Sequence, residues 1–333
     1  MKISIKGIAE LAGVSHSTVS RALANSPLIP EETRRRIQRI AQRKGYSPNA
    51  IARGLVTRRT QAIGVVVTSI EDPFVAEVVR GIEEAAGNQG YRVFLATSHN
   101  DPARELNVVN ALREWRVDSV IVAASRVGSL YGSLLQQIGV PIVLINNQQA
   151  GTFIHTVAVD DAQGAKLATQ HLISLGHRVI GHLRGPAKHR AAKNRLAGYR
   201  GALRQAGIAF DEALVVAANG RANGGEQILQ LLDHSPRPTA VFCFNDMTAI
   251  GALATLKRHG IRVPADISLV GFDDIPFAQY IDPPLTTIQQ PMVEMGRQAM
   301  QMALTLMQDS KSQVPDIVIP GKLIERESTQ RLK

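Results

Sequence analysis

Residues 4–25 read SIKGIAELAGVSHSTVSRALAN. Ile5, Ile8, Ala9, Leu11 and Ala12 recur at helical spacing, Ser4 stands where a helix is capped, and Gly13 breaks the run. Ser15 is placed to cap a second helix, predicted over 16–24, with Val19, Ala22 and Leu23 facing inward. A third helix follows beside Pro30: Glu31 and Glu32 suit its positive end, and Arg43 and Lys44 precede a stop at Gly45. Two short helices joined across Gly-Val-Ser have helix-turn-helix spacing, in which the second helix enters the major groove of DNA with its N-terminal residues on base edges. With Val19 and Leu23 turned inward, His16, Ser17 and Arg21 lie on the opposite face, and Arg21 has the fork for a bidentate contact to guanine. A solvated face on a small helical domain is the alternative, and caps, turn, polarity and charge together weigh against it.

Charge locates the same module. The chain has 333 residues and a net charge of +10, from 38 Lys and Arg against 28 Asp and Glu. Residues 1–60 hold 12 of those cations and 3 of the acids, so the remaining 273 residues are almost neutral. A small basic module joined to a large neutral body is the pattern of a polyanion-binding part carried by a second, different part. The length allows two to three domains. One cysteine, Cys243, excludes an intramolecular disulfide and an all-cysteine metal cage. The start shows no signal-peptide pattern, and apolar runs such as 62–67 stop far short of the roughly 20 residues of a membrane span, so a cytoplasmic protein without membrane contact is expected. Between module and body, SPNAIARGLVTRRT (47–60) offers Leu55 among Arg53, Arg58 and Arg59. Leu55 is either a minor-groove wedge with arginines on phosphates or a packing residue.

From residue 62, apolar runs alternate with helical patterns: AIGVVVTS (62–69), YRVFLA (91–96), SVIVAA (119–124) and VPIVLI (140–145), then RVIGHL (178–183), LVVAA (214–218), AVFCF (240–244) and ISLVG (267–271). Continuous apolar strands at this spacing imply βα repeats and parallel sheets covered on both faces, here as two lobes. Thr156 to Gly164 and Leu285 to Pro291 are natural crossings, and Ile317 to Ile319 offers a strand returning to the first lobe. Ligands of open α/β sheets sit at the carboxyl ends of strands, so two facing sheets place a ligand between lobes. Those ends carry Glu71-Asp72-Pro73-Phe74, the cationic run Arg184, Lys188, His189, Arg190, Lys193 and Arg195, then Asn245-Asp246 and Phe272-Asp273-Asp274. Asp246 and Asp274 read more simply as cap or turn residues. Dinucleotide, P-loop, nucleophile-elbow and zinc-protease motifs are absent, and His171, His177 and His182 lack chelating spacing, so no enzyme, cofactor or metal is expected.

The runs IAELAGVSHSTVSRALANSP, GYSPNAIARGLVTRRT, HLISLGHRVIGHLRGP with RLAGYRGAL, FNDMTAIGAL and VPADISLVGFDDIPFAQYIDPPLTTIQQP together resemble the lactose-repressor (LacI/GalR) family of bacterial transcription regulators, over about residues 4–330. The resemblance implies an all-α helix-turn-helix domain over 1–47 and a hinge helix within 48–60. It implies a two-lobed α/β domain of the periplasmic-binding-protein type over 61–333, with lobe 1 at about 61–160 and 290–320 and lobe 2 at about 161–289 and 321–333. It further implies a homodimer, or a dimer of dimers, on a pseudo-palindromic double-stranded DNA operator, repressing a carbohydrate-utilisation operon under allosteric control by a small polar effector.

By that resemblance His16, Ser17 and Arg21 match base readers, and Ser15, Thr18, Ser20 and Asn25 match phosphate or positioning contacts. Asn49, Ala52, Arg53 and Leu55 fall in the hinge, with Leu55 as the wedge. Asp72, Phe74, His189, Lys193, Arg195, Asn245, Phe272 and Asp273 fall on effector-contacting positions, Asp273 and Asn245 for hydroxyls and Phe74 for stacking. Three residues depart from the family pattern: Gly7 for an acid, Gly54 for a serine, and Lys193 where an effector-gripping arginine is common. Lys193 with Arg195, His189 and Arg190 suggests a sugar acid or sugar phosphate; the rival is a neutral sugar. An exported solute-binding protein or a carbohydrate enzyme of the same two-lobed build is disfavoured by the basic module and by the lack of a catalytic pair.

Overall fold

The computed structural model describes residues 3–46, 59–125, 127, 139–147, 155–309, 312 and 314–332. The hinge positions Asn49, Ala52, Arg53 and Leu55 lie outside the described residues. The chain divides into two compact units, Met1–Thr60 and Gln61–Lys333.

In the first unit, helices α1 (Ile5–Ala12), α2 (His16–Leu23) and α3 (Glu31–Arg43) enclose a core of Ile8, Ala9, Ala12, Val19, Ala22, Ile29, Ile37 and Ala41. The Ser4 hydroxyl accepts from the Gly7 amide at 3.2 Å, and Gly13 closes α1 with a left-handed φ of 63° that frees the chain to start α2. Leu11 departs from the expected apolar stripe. Positions 5, 8, 9 and 12 fill the inner face, which leaves Leu11 55 % exposed.

The second unit begins β1 (Ala62–Val67), α4 (Pro73–Asn88), β2 (Arg92–Thr97), α5 (Pro102–Glu114), β3 (Ser119–Ala123), β4 (Ile142–Ile145) and β5 (Thr156–Val159). It continues with α6 (Asp161–Ser174), β6 (Ile180–Arg184), α7 (Arg190–Gln205), β7 (Val215–Ala217), α8 (Ile228–Leu232), β8 (Ala240–Cys243), α9 (Asp246–Arg258), β9 (Ser268–Asp273) and β10 (Thr286–Gln289). It ends with α10 (Met292–Gln308), β11 (Ile317–Ile319) and β12 (Lys322–Ile324). One sheet has the order β11-β5-β4-β3-β1-β2 and is parallel throughout; the other has the order β12-β10-β9-β8-β6-β7, with only β12 antiparallel. These are the parallel sheets that the uninterrupted apolar runs predict: β1, β3, β4 and β8 are buried along their whole length.

The chain passes between the sheets three times, from β5 into α6, from β10 into α10, and from β11 into β12. In the second lobe α6 and α7 cross in backbone contact at Gly198, where a Cβ would fall 2.1 Å from the Ala162 carbonyl oxygen. That approach fixes the rotation of α7 and hence which of its cations turns inward.

Asp246 is not the cap of α9, as its position in the sequence suggests. Asn245 is the cap, its Oδ1 accepting from the Thr248 amide at 3.0 Å. Asp246 is fully buried, accepting from the Thr287 hydroxyl at 2.5 Å and the Ile275 amide at 2.9 Å, so it ties α9 to β10 and to the chain after β9. Asp274 forms an ion pair with Arg326 at 2.7 Å and accepts from Gln289 at 2.8 Å. Burial raises the Asp246 carboxyl from 3.8 to about 6, against the two hydrogen bonds. A carboxyl raised in the folded state adds stability in full below its unfolded pKa, and that contribution is lost as pH rises through the folded value. Urea unfolding at pH 7 and at pH 5 should therefore show the chain gaining stability relative to Asp246→Asn at the lower pH, by roughly 1 to 2 kcal/mol for a shift of this size. His171, His177 and His182, held low by burial, act in the opposite sense in both proteins and cancel in the difference. Equal differences at the two pH values would contradict the assignment.

Candidate ligand cleft and nucleic-acid interface

On α2 the inward positions Val19 and Ala22 leave His16, Ser17, Ser20 and Arg21 exposed on the outer face, with Thr18 half-buried. Ser15 caps the helix: its Oγ accepts from the Thr18 amide at 3.1 Å and lies 2.8 Å and 2.9 Å from the hydroxyls of Ser17 and Thr18. Asn25 takes a left-handed φ of 56° and accepts from Gln38 at 2.8 Å, which anchors the chain leaving α2 to α3. Ser15 and Asn25 thus hold the outer face in place, Ser17 is tied to Ser15, and His16 and Arg21 project from the face. Arg21, Arg34 and Arg39 have no ion-pair partner among the described residues. A convex helix face with uncommitted cations suits a polyanion.

In the second unit the carboxyl ends of β1, β6, β8 and β9 converge on a cleft of about 320 Å³, lined by Asp72, Phe74, His189, Arg195, Asn245 and Asp273 among others. The volume is at the small end of the range for ligand pockets. Arg195 dominates it. The residue is 4 % exposed; its Nε donates to Asp161 at 2.8 Å and its Nη1 to the Phe244 carbonyl at 2.6 Å, and Asp273 lies 3.8 Å away. The guanidinium stacks over Phe272 at 3.7 Å and Phe244 at 4.6 Å. Burial raises the Asp273 carboxyl well above its usual range, with Arg195 as the largest opposing influence. Asp72 caps α4 by accepting from the Phe74 amide at 3.0 Å; burial raises its carboxyl too, against Arg221 on the other lobe.

Two positions differ from the sequence expectation. Lys193 is exposed on the outer face of α7, because two residues on a helix are turned by about 200° and Arg195 takes the inner side. Phe272 is fully buried and forms the floor under Arg195 rather than part of the lining, since its strand alternation turns it into the core beneath α6. Asn245 lines the cleft with a committed side chain: its Oδ1 caps α9 and its Nδ2 donates to the Gly220 carbonyl at 2.9 Å, leaving one amide hydrogen. The cation cluster of the sequence therefore does not assemble, as Arg190 and Lys188 are exposed outside the lining as well.

Sequence reasoning missed Arg221, Phe244, Asn146 and Gln290, all of which line the cleft. Arg221 follows β7, so the strand-end rule extends to it; Gln290 lies in the crossing at 285–291. Gln290 Nε2 donates to Asp273 at 2.6 Å, Asn146 Nδ2 donates to Gln290 at 3.3 Å, and Asn146 Oδ1 accepts from the Val159 amide at 3.2 Å. This relay joins the second lobe's carboxylate to the first lobe's crossing strands. Of the three clustered histidines, His182 is buried between the rings of Tyr199 and Phe242, and His177 bridges the Thr239 hydroxyl and the Gln330 carbonyl. Among the described residues there is no group of three or more His, Cys, Asp or Glu that could hold a metal ion, and no helix long and apolar enough to cross a membrane.

Comparison with known proteins agrees with both units. Residues 4–49 match the bacterial regulatory proteins of the lacI family, and residues 169–329 match the periplasmic binding protein-like domain. The chain is 35 % identical over 331 residues to the ribose operon repressor of Haemophilus influenzae, covering 99 % of each protein. It superposes on the lac repressor dimer bound to operator and the anti-inducer ONPF with a TM-score of 0.88 at 26 % identity, over 99 % of this chain and 100 % of that one. A ribose-bound LacI-family regulator from Enterococcus faecium matches with a TM-score of 0.74 at 30 % identity, over 82 % of this chain and 100 % of that one. The relatives are transcription regulators, not enzymes. With a DNA-binding helix-turn-helix unit and a ligand-binding two-lobed domain in one chain, the protein belongs to the LacI family of bacterial regulatory proteins.

Proposed function

We propose that this regulator represses transcription in the cytoplasm as a homodimer on a pseudo-palindromic operator, and that a neutral polyhydroxylated molecule, a monosaccharide or a nucleoside, sets its affinity from the cleft. His16, Ser17 and Arg21 read base edges in the major groove; Ser15, Thr18, Ser20 and Asn25 position α2 against phosphates; Leu55, with Asn49, Ala52 and Arg53, serves the hinge at the minor groove. The dimer is supported by exposed apolar side chains on the first sheet's edge strand, Phe94 at 44 % and Leu95 at 45 %, and by Phe277 and Tyr280 in the second lobe, exposed by 56 % and 78 %. A second copy would cover these faces and present two half-sites about one helical turn apart.

The observation that carries the effector class is the state of Arg195. Its charge is already met by Asp161 and Asp273, so an anionic ligand would find Asp72 and Asp273 close by and Arg221 as the one cation lining the cleft without an ion-pair partner among the described residues. Hydroxyl groups instead complement this set, donating to Asp72 and Asp273 and accepting from Asn245 and Arg195, with Phe74 and Phe244 against a ring face. The ribose-bound relative and the ribose operon repressor are in keeping with this choice. Occupancy acts on DNA by drawing Asp273 away from Gln290, which shifts the relay to Asn146 and the first lobe; the ligand must bind the two lobe arrangements unequally to have any effect.

Two outcomes are expected. On an operator selected from random duplexes, affinity should fall steeply with salt as several phosphates are neutralised, and Arg21→Ala should lose about 1 to 3 kcal/mol of discrimination at one base pair per half-site; a flat salt response or unchanged base preference in competition assays would contradict the DNA reading. In thermal-shift and calorimetric titrations against neutral pentoses, hexoses and nucleosides and their acids and phosphates, a neutral compound should bind. Arg195→Ala should abolish that binding, while Lys193→Ala leaves it unaltered. Binding of anions alone, or its loss in Lys193→Ala, would refute the neutral-effector reading.

A further inference from the structure

The cations that leave the cleft define a surface of their own. Helix α7 contains five Lys and Arg and no Asp or Glu, and with Arg195 turned inward the other four, Arg190, Lys193, Arg200 and Arg204, are exposed. With Ala197 they follow one stripe at spacings of 3, 4, 3 and 4 residues, about 21 Å long at 1.5 Å per residue. None has an ion-pair partner among the described residues; the Arg200 guanidinium rests on the Phe210 ring at 4.2 Å. Arg204 suits the negative end of the helix, but the rest of the stripe works against it. Like charges three and four residues apart repel, and Arg190 and Lys193 stand at the positive end of a helix with no acid in its first turn and no side-chain cap. A stripe of four exposed cations with no ion pair among the described residues points outward, to a partner.

Within the stripe the surface is small and apolar. Leu196, Ala197 and Gly201 form the floor of a shallow hollow rimmed by Lys193, Arg200 and Arg204, and a Cβ added at Gly201 would meet nothing within 4 Å. Nucleic acid would use the cations but not the apolar floor. We propose that the outward face of α7 docks an acidic, amphipathic helix of a partner protein, with apolar side chains over Ala197 and Gly201 and carboxylates on Lys193, Arg200 and Arg204. The small floor lets the two helices approach, and the rim supplies orientation and steering.

The test uses the full-length protein bound to its operator and a fluorescein-labelled helical peptide with Leu along one stripe and Glu on both flanks. Anisotropy should show saturable binding that weakens as salt rises. The double variant Arg200→Glu, Arg204→Glu should lose about tenfold or more in affinity. Gly201→Leu, which fills the hollow without changing charge, should also weaken the peptide, and operator affinity should be unchanged in both. Three results would overturn the proposal: no saturable binding; a scrambled peptide of the same composition binding equally well with Gly201→Leu silent; or loss of non-operator duplex affinity in the charge-reversal variant, which would make the face a nucleic-acid surface.

Discussion

The chain passes between two parallel sheets three times, and that covalent constraint keeps the carboxyl ends of both sheets facing one cleft. Parallel strands need helical crossovers, so each lobe buries its own sheet under its own helices, and the crossings are the covalent connections through which the proposed control would pass from the cleft to the other lobe. The residues with φ in the left-handed range include Asn146 at 47° and Asp273 at 129°, one on each side of the Gln290 relay.

Arg195 shows how the fold itself holds the cleft in order. A guanidinium this deeply buried is stable only if its hydrogen bonds and charge are met, and Asp161, the Phe244 carbonyl, Asp273 and two aromatic faces meet them. The partners come from the start of α6, the end of β8 and the end of β9, so one side chain locks three elements of the second lobe into register. The proposed neutral effector would add hydroxyl groups to this existing network rather than bring a second strong charge.

Much of this was legible in the sequence, because it depends on neighbours in the chain. The caps Ser4 and Ser15 and the break at Gly13 act within four residues, and runs such as AIGVVV declare a buried parallel strand without knowledge of its partners. What was not legible depends on rotation or on distant contacts. Lys193 and Arg195 are two residues apart in one cationic run, and only the packing of Gly198 on Ala162 decides which faces the cleft. Phe272 and Asp273 are adjacent, yet strand alternation sends one to the core and the other to the ligand side. Asp246 looks like a cap until Thr287, far along the chain, is brought against it. Arg221 was passed over although the run LVVAA at 214–218 marks its strand, because it lies four residues beyond the end of β7.

In the proposed control, occupation of the cleft moves one lobe against the other and this movement sets operator affinity. Double electron–electron resonance between spin labels at Arg113→Cys on the first lobe and Lys257→Cys on the second, both exposed, measures it directly, with the buried Cys243 replaced by Ser. A ligand that changes operator affinity should shift the interlobe distance distribution, and the shift should vanish when Arg195 is replaced. A ligand that changes operator affinity while the distribution stays fixed would contradict the account.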